Sequence, residues 1–248
     1  MLSLNKHIPN FVTLLNLFCG SIAVIFAVNG SLVTASFFAF LGIFFDFFDG
    51  LLARKLNAQS ELGLQLDSLA DMVTSGLVPG IVMFQLFNLQ GSDWFSFGVN
   101  ETVGFNSTLE EVTFLPLIGL LITLASAYRL ANFNIDNNQT DSFIGLPTPA
   151  NTLLILSFPL IMEFQNNDTI NAIILNKWFL IAVTLVSCYL LNAKIKLLAL
   201  KFKTWNFQDN AARYLLIILA AVLLIVFQFA AIPLIILAYI IISLLNRN

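Results

Sequence analysis

Charge is what this sequence has least of. Only 10% of its 248 residues are Asp, Glu, Lys or Arg, where a soluble domain carries about a quarter. Beside a hydrophobic fraction of 58%, that scarcity excludes an ordinary water-soluble fold. Metal-binding and bridging side chains are also scarce, with two cysteines and one histidine in the chain. Cys19 and Cys188 both fall within apolar runs, which argues against a disulfide framework or thiolate metal cluster and reads as small buried hydrophobes. His7 reads as an interfacial residue rather than a catalyst. Neither an internal repeat nor a low-complexity tract is visible, and no nucleic-acid partner is expected.

What is present is a series of apolar runs, several of them reaching the roughly 20 residues that cross a bilayer as a helix. The chain therefore reads as an all-α, polytopic integral membrane bundle of about eight transmembrane helices. Hydropathy places them near 10–28, 32–54, 64–87, 113–133, 149–165, 176–194, 211–228 and 231–246. The first run lacks a small-residue cleavage site and is expected to be retained as a helix. Asn29-Gly30-Ser31 breaks the first two spans apart, and polar loops are expected at 88–112 and 134–148. One membrane-embedded domain is expected over 1–248, with a core at 1–194 and a basic connector plus two further helices at 195–248.

The distribution of the few charges gives an orientation. With the N-terminus inside, every basic residue except Lys177 falls at the cytoplasmic face. Asp93, Glu101, Glu110, Glu111, Glu163 and Asp168 gather on the other side. The positive-inside rule then places both termini in the cytoplasm, as expected of a multi-pass protein of the inner, cytoplasmic membrane. The segment 194–213, which contains Trp205, reads as an ordinary positive-inside loop that is also compatible with a helix on anionic headgroups.

Against this background the stretch DFFDGLLARKLNAQSELGLQLDSLAD, residues 46–71, stands out. Asp46 and Asp49 are three apart and share a face near the cytoplasmic end of the second span. Asp67 and Asp71 are four apart and share a face on the first turns of the third. The polar turn Asn57-Ala58-Gln59-Ser60 lets the two helices run antiparallel and bring all four carboxylates together. Even a single charge at the centre of a membrane helix costs roughly 2.5–3.5 kcal/mol, so such a cluster calls for neutralising cations. Carboxylate oxygens without nearby histidine or cysteine favour Mg²⁺ or Mn²⁺ over zinc. Four carboxylates can bridge two ions about 3.5–4 Å apart, a spacing suited to phosphoryl chemistry. Gly50, Ala53 and Gly63 are small enough to let the helices approach closely or to leave room for a ligand.

The pattern Asp46-x2-Asp49-Gly50-x2-Ala53-Arg54-x8-Gly63-x3-Asp67-x3-Asp71 resembles the signature of the CDP-alcohol phosphatidyltransferases. PNFVTLLNLFCG at 9–20, YRLANFN at 128–134 and GLPTPAN at 145–151 resemble segments of the bacterial members that use serine as acceptor. The resemblance implies transfer of a phosphatidyl group from CDP-diacylglycerol to the hydroxyl of L-serine, with release of CMP. It implies two divalent cations, Mg²⁺ or Mn²⁺, held by Asp46, Asp49, Asp67 and Asp71; Asp71 is the candidate general base for the serine hydroxyl. Gly50, Ala53, Arg54 and Gly63 would line the CDP-lipid site. Arg129 is the candidate partner of the acceptor carboxylate, with Asn132 nearby, and a snorkelling role for Arg129 stands beside that reading. The family often has a second arginine where this chain has Asn132, an amide that can hydrogen-bond but carries no charge. Membrane lipid and a second copy of the chain are the other expected partners.

Three rival readings remain open at this point. The same fold could use glycerol 3-phosphate or inositol phosphate, although Arg129 and Lys6 make a thin basic cluster for a phosphorylated acceptor. An intramembrane prenyltransferase also holds Mg²⁺ on aspartate pairs, but lacks the Gly-x2-Ala-Arg insertion. A divalent-cation transporter would spread acidic residues through the membrane depth and often carry an inverted repeat.

Overall fold

The computed structural model describes residues 7–89, 114–135, 143–165, 167–198 and 207–245. The loop acids Asp93, Glu101, Glu110 and Glu111 lie outside them, as do Lys6, Lys201, Lys203, Trp205 and Arg247. Helix α1 (Ile8–Val28) runs into α2 (Leu32–Lys55), followed by α3 (Glu61–Asp71). A π-helical turn, Met72–Leu77, joins α3 to α4 (Val78–Leu89). A 3₁₀ turn, Leu115–Leu120, leads into α5 (Leu121–Ile135). Then come β1 (Phe143–Ile144), α6 (Thr148–Phe164), α7 (Asp168–Ile174), α8 (Lys177–Asn192) and β2 (Lys196–Leu197). Helices α9 (Phe207–Phe227) and α10 (Ala231–Leu245) complete the described chain. The only strands among the described residues are β1 and β2, which pair antiparallel over two residues each.

The expected breaker between the first spans closes α1 by glycine chemistry. Gly30 adopts φ +77, its N–H donates to Ala27 O at 3.0 Å, and Ser31 N–H donates to Phe26 O at 2.9 Å. This is the two-bond C-terminal cap that favours glycine at the left-handed position. Because the turn is so short, α1 and α2 lie along one another. Their shared face is made of small residues, with Ala23, Ala27, Ala35 and Ala39 fully buried. Removing side-chain bulk is what permits close helix approach in a membrane, where no difference in hydrophobicity drives association.

The third span departs from the regular helix expected over 64–87. It begins earlier, where Ser60 Oγ accepts the Gly63 N–H at 3.1 Å as an N-terminal cap. It is then interrupted just after Asp71 by the π turn, an insertion that frees backbone carbonyls and often accompanies functional sites. Neighbouring helices satisfy two of these carbonyls. Thr123 Oγ1 donates to Gly76 O at 3.1 Å, and Thr152 Oγ1 donates to Ser75 O at 3.0 Å. No local hydrophobic pattern marks the π turn, because the side chains that satisfy its freed carbonyls come from residues far along the chain.

Every expected apolar segment becomes helical, but not every one is a straight crossing. Among the described residues five stretches are long and apolar enough, and the bent pair α7 and α8, which meet at 57°, makes a sixth if it is one span. With 17 residues, α6 is about 25 Å long at 1.5 Å per residue, less than the hydrocarbon thickness. It is the buried centre of the bundle, with Ile155, Leu156, Phe158 and Ile161 in the main core. The final 36-residue apolar stretch is too long for one span. Gln228 breaks it at φ +48, and α9 packs against α10, so it forms two helices. Exposed Phe37, Phe44 and Phe47 on α2, and Ile218 and Ile225 on α9, give the bundle an apolar surface suited to lipid.

Candidate active site

Helices α1 and α2 pack against one another and against the π turn that follows the aspartates of α3. A Cβ on Gly42 would lie 2.7 Å from Thr74 Cγ2 and 2.9 Å from Asn16 Oδ1, and a Cβ on Gly20 would overlap Thr74 Oγ1. Thr74 Oγ1 also donates to the Asn16 carbonyl at 3.2 Å. Two glycines, one threonine and one asparagine therefore set the spacing of α1, α2 and the π turn. One turn from Gly42 along α2 is Asp46, and Asp71 and Asp67 lie on the last turns of α3 before the π turn.

Asp46, Asp49 and Asp67 each offer a carboxylate oxygen, and these oxygens all lie within 4.8 Å of one another. Asp49 is only 5% exposed, and its Oδ2 has no hydrogen-bond partner. A buried carboxylate with one unpaired oxygen, close to two other carboxylates, is costly without a cation. The donor set is entirely hard oxygen, as divalent magnesium or manganese requires. The residues present thus fit a metal site.

Asp71 is set slightly apart from this trio. It lies beside Asp46 and is faced by the amide of Asn16. Asn16 is fully buried, yet neither of its amide atoms completes a hydrogen bond. Thr13, one turn before Asn16, lies beside Asp49, although its hydroxyl donates to Pro9 O at 3.1 Å.

A cleft of about 480 Å³ opens next to the trio, lined by Asp49, Gly50, Ala53, Gly63 and Asp67 with Thr13 of α1. The two motif glycines differ in what they do. A Cβ on Gly50 would meet only the Arg54 guanidinium, 3.8 Å away, so Gly50 borders open space. A Cβ on Gly63 would come within 3.1 Å of Asn10 Oδ1, so Gly63 allows α3 to approach α1. Arg54 is exposed one turn beyond Gly50. A second hollow of about 370 Å³ adjoins the cleft through Asn10, Ala58, Gln59 and Ser60, and His7 lines its far side.

Arg129 is not a snorkelling side chain. It is buried at 8% exposure, where Nε donates to Leu146 O at 2.6 Å and Nη2 to Gly145 O at 3.4 Å. Asp71 and Tyr239 lie within electrostatic reach of its guanidinium. Asn132 is one turn on and partly buried. Asn134 rather than Asn132 bonds to the aspartate helix, accepting from Ser68 Oγ at 3.0 Å. Asn16, Asn10, Thr13 and Thr74 were not among the sequence candidates. Asn16 could have been found by its cost, because a lone amide inside the apolar run LLNLF needs a reason to be there.

A family sequence model for CDP-alcohol phosphatidyltransferase matches residues 6–190, a segment containing all four aspartates and Arg129. The chain belongs to the CDP-alcohol phosphatidyltransferase family. Such enzymes generally depend on divalent metal, and the Asp46, Asp49 and Asp67 trio could hold an ion.

Curated relatives carry a more specific name, CDP-diacylglycerol–serine O-phosphatidyltransferase. The relative from Bacillus subtilis is 35% identical over 159 residues, 62% of this chain and 76% of its own length. That from Methanocaldococcus jannaschii is 31% identical over 176 residues, 70% of each chain. That from Saccharomyces cerevisiae is 31% identical over 170 residues, 61% of this chain but only 53% of the yeast protein. The match thus spans about half of the yeast relative. The described parts of α9 and α10 lie beyond the family match, which ends at residue 190.

Proposed function

We propose that this protein transfers the phosphatidyl group of CDP-diacylglycerol to the hydroxyl of L-serine, releasing CMP and forming phosphatidylserine. The observation that carries the reading is the convergence of Asp46, Asp49 and Asp67 within 4.8 Å of one another at the edge of an open cleft. The names of the relatives support serine as acceptor. The open space beside Gly50 suits a bulky nucleotide-lipid, with Ala53 and Gly63 continuing the same wall.

In this proposal the four aspartates would hold two Mg²⁺ or Mn²⁺ ions, which when bound would offset the charge of the pyrophosphate and of the reacting phosphoryl oxygens. Arg54, at the mouth of the cleft, grips a substrate phosphate through its planar donor fork. The serine Oγ attacks the phosphorus of the phosphatidyl group. An O–P bond forms, the bond from phosphorus to the CMP oxygen breaks, and CMP leaves with that electron pair. The Asp71 carboxylate accepts the proton from serine Oγ. Its place beside the trio rather than within it agrees with this role, and the Asn16 amide can donate to the carboxylate oxygen not receiving the proton. Arg129 and Asn132 take the acceptor side, with Arg129 fixed by the carbonyls of Gly145 and Leu146. The site faces the cytoplasm of an inner-membrane protein, where CDP-lipid headgroups and free serine meet.

The test is purified protein with CDP-diacylglycerol, Mg²⁺ or Mn²⁺, and a panel of labelled alcohols. Phosphatidylserine and equimolar CMP are expected with serine alone. A product from glycerol 3-phosphate or inositol phosphate instead would move the acceptor assignment within the family. Metal uptake into proteoliposomes with no CMP release from any alcohol would overturn the transferase reading.

A further inference from the structure

The two helices at the end of the chain lie beyond the family match, yet a continuous set of contacts leads from them to Arg129. Helix α10 grips residue 198 at both of its backbone groups. Tyr239 Oη donates to Leu198 O at 3.0 Å, and Leu198 N–H donates to Ser243 Oγ at 3.1 Å. Tyr239 and Ser243 are four apart on α10, so both bonds come from one face. Residue 198 directly follows β2, whose Lys196 and Leu197 pair with Ile144 and Phe143 of β1.

From β1 the chain turns through Gly145, whose φ of +74 suits glycine. A Cβ there would lie 2.6 Å from Leu191 O. The N–H of Gly145 donates to Ile195 O at 2.9 Å, and that of Leu146 to Leu190 O at 2.8 Å. The carbonyls of these two residues are the ones that receive Arg129. Leu146 is also fully buried in a separate core with Leu197, Leu216, Ile236 and Tyr239. The peptide groups of Gly145 and Leu146 are thus bonded on one side to the α8–β2 segment and on the other to Arg129.

We propose that the α9–α10 pair is a brace for the acceptor side of the active site, with Tyr239 and Ser243 as positioning residues that act on Arg129 through residues 196–198 and 143–146. Tyr239 also lies within direct electrostatic reach of the guanidinium. The two hydrogen bonds from this face of α10 both go to residue 198. They set where the carbonyls of Gly145 and Leu146 stand, and those carbonyls set where the guanidinium stands. The proposal rests on Arg129 serving the acceptor, as in the function proposed above. It therefore assigns the last helices an influence on the acceptor and none on the CDP-lipid cleft.

Tyr239→Phe and Ser243→Ala, singly and together, test it, with Ile241→Ala on the exposed face of α10 as control. The steady-state constants for both substrates would be measured with whichever alcohol the wild type accepts. Amide hydrogen exchange over residues 143–146 would be followed in the same preparations. Each single variant is expected to raise the acceptor KM about fivefold, the scale of one neutral hydrogen bond, and the double variant to raise it further. The KM for CDP-diacylglycerol is expected to stay unchanged, exchange at 143–146 to quicken, and the control to behave as wild type.

Unchanged acceptor KM and exchange in the double variant would overturn the brace. A parallel rise in both KM values with a fall in global stability would reduce α10 to ordinary packing and overturn it too. A wild type that makes no phosphatidylserine would count against the proposed acceptor, while exchange at 143–146 would still decide whether α10 braces that segment.

Discussion

Asn16 on α1 and Gly42 on α2 meet so closely that a single added carbon on Gly42 would lie 2.9 Å from Asn16 Oδ1. Gly42 is one turn from Asp46, and Asn16 faces Asp71. The contact that sets the helix spacing is thus next to the carboxylates it brings together.

Gly42→Ala should force Asn16 and Thr74 to move and should lower stability by about 1–3 kcal/mol, the usual cost of overpacking. Thermal unfolding in detergent is the measurement. Gly30→Ala makes a useful contrast. It meets no atom within 4 Å but sits at φ +77, so its penalty comes from the backbone alone, about 1–2 kcal/mol.

Asp49→Asn removes one charge from the trio while keeping its shape. Mn²⁺ should raise the unfolding temperature of the wild type, because an ion bound only by the folded state stabilises it by about 2.7 kcal/mol at a hundred times its Kd. That rise should be absent in Asp49→Asn, and a chelator should reverse it in the wild type. An equal rise in both proteins would remove Asp49 from the metal set.

Asp71→Asn should behave differently. Loss of a general base costs about 10²–10⁴ in rate, while binding of CDP-diacylglycerol should remain measurable by titration. Near-normal turnover would take Asp71 out of the base role.

Gly50→Leu should obstruct the cleft without disturbing the fold, since position 50 borders open space. The KM for CDP-diacylglycerol should rise about tenfold or more, the effect of losing about 1.4 kcal/mol of binding, with unfolding temperature unchanged. Gly63→Leu should instead lower stability, because its neighbour is Asn10 at 3.1 Å.

Arg129→Lys keeps the charge but loses the planar fork that reaches two carbonyls. Leaving either buried carbonyl unpaired costs about 1–3 kcal/mol. The variant should therefore both unfold at a lower temperature and bind the acceptor more weakly. A change in acceptor KM alone would mean that the bonds to Gly145 and Leu146 contribute no stability.

How much was readable in advance follows from the range of each interaction. The faces bearing Asp46 with Asp49, and Asp67 with Asp71, follow from helical periodicity, and the cap at Gly30 from three consecutive residues. Those are local relationships. The π turn after Asp71 has no such local signature, because the groups that satisfy its freed carbonyls, Thr123 and Thr152, lie far along the chain. The snorkelling alternative for Arg129 arose because its partners, Gly145 and Leu146, offer backbone carbonyls, which carry no side-chain signature.

The chain's composition by itself made this a membrane bundle, since so few charges and so many apolar runs leave water no surface to solvate. The spacing of its aspartates likewise determined which carboxylates share a helix face. Only the tertiary structure decided that Asp46, Asp49 and Asp67 converge while Asp71 stands beside Asn16. It alone decided that Arg129 is anchored to the segment gripped by α10. The reason is physical: helix faces repeat every few residues, whereas helix spacing depends on whether Gly20 and Gly42 leave room for Thr74.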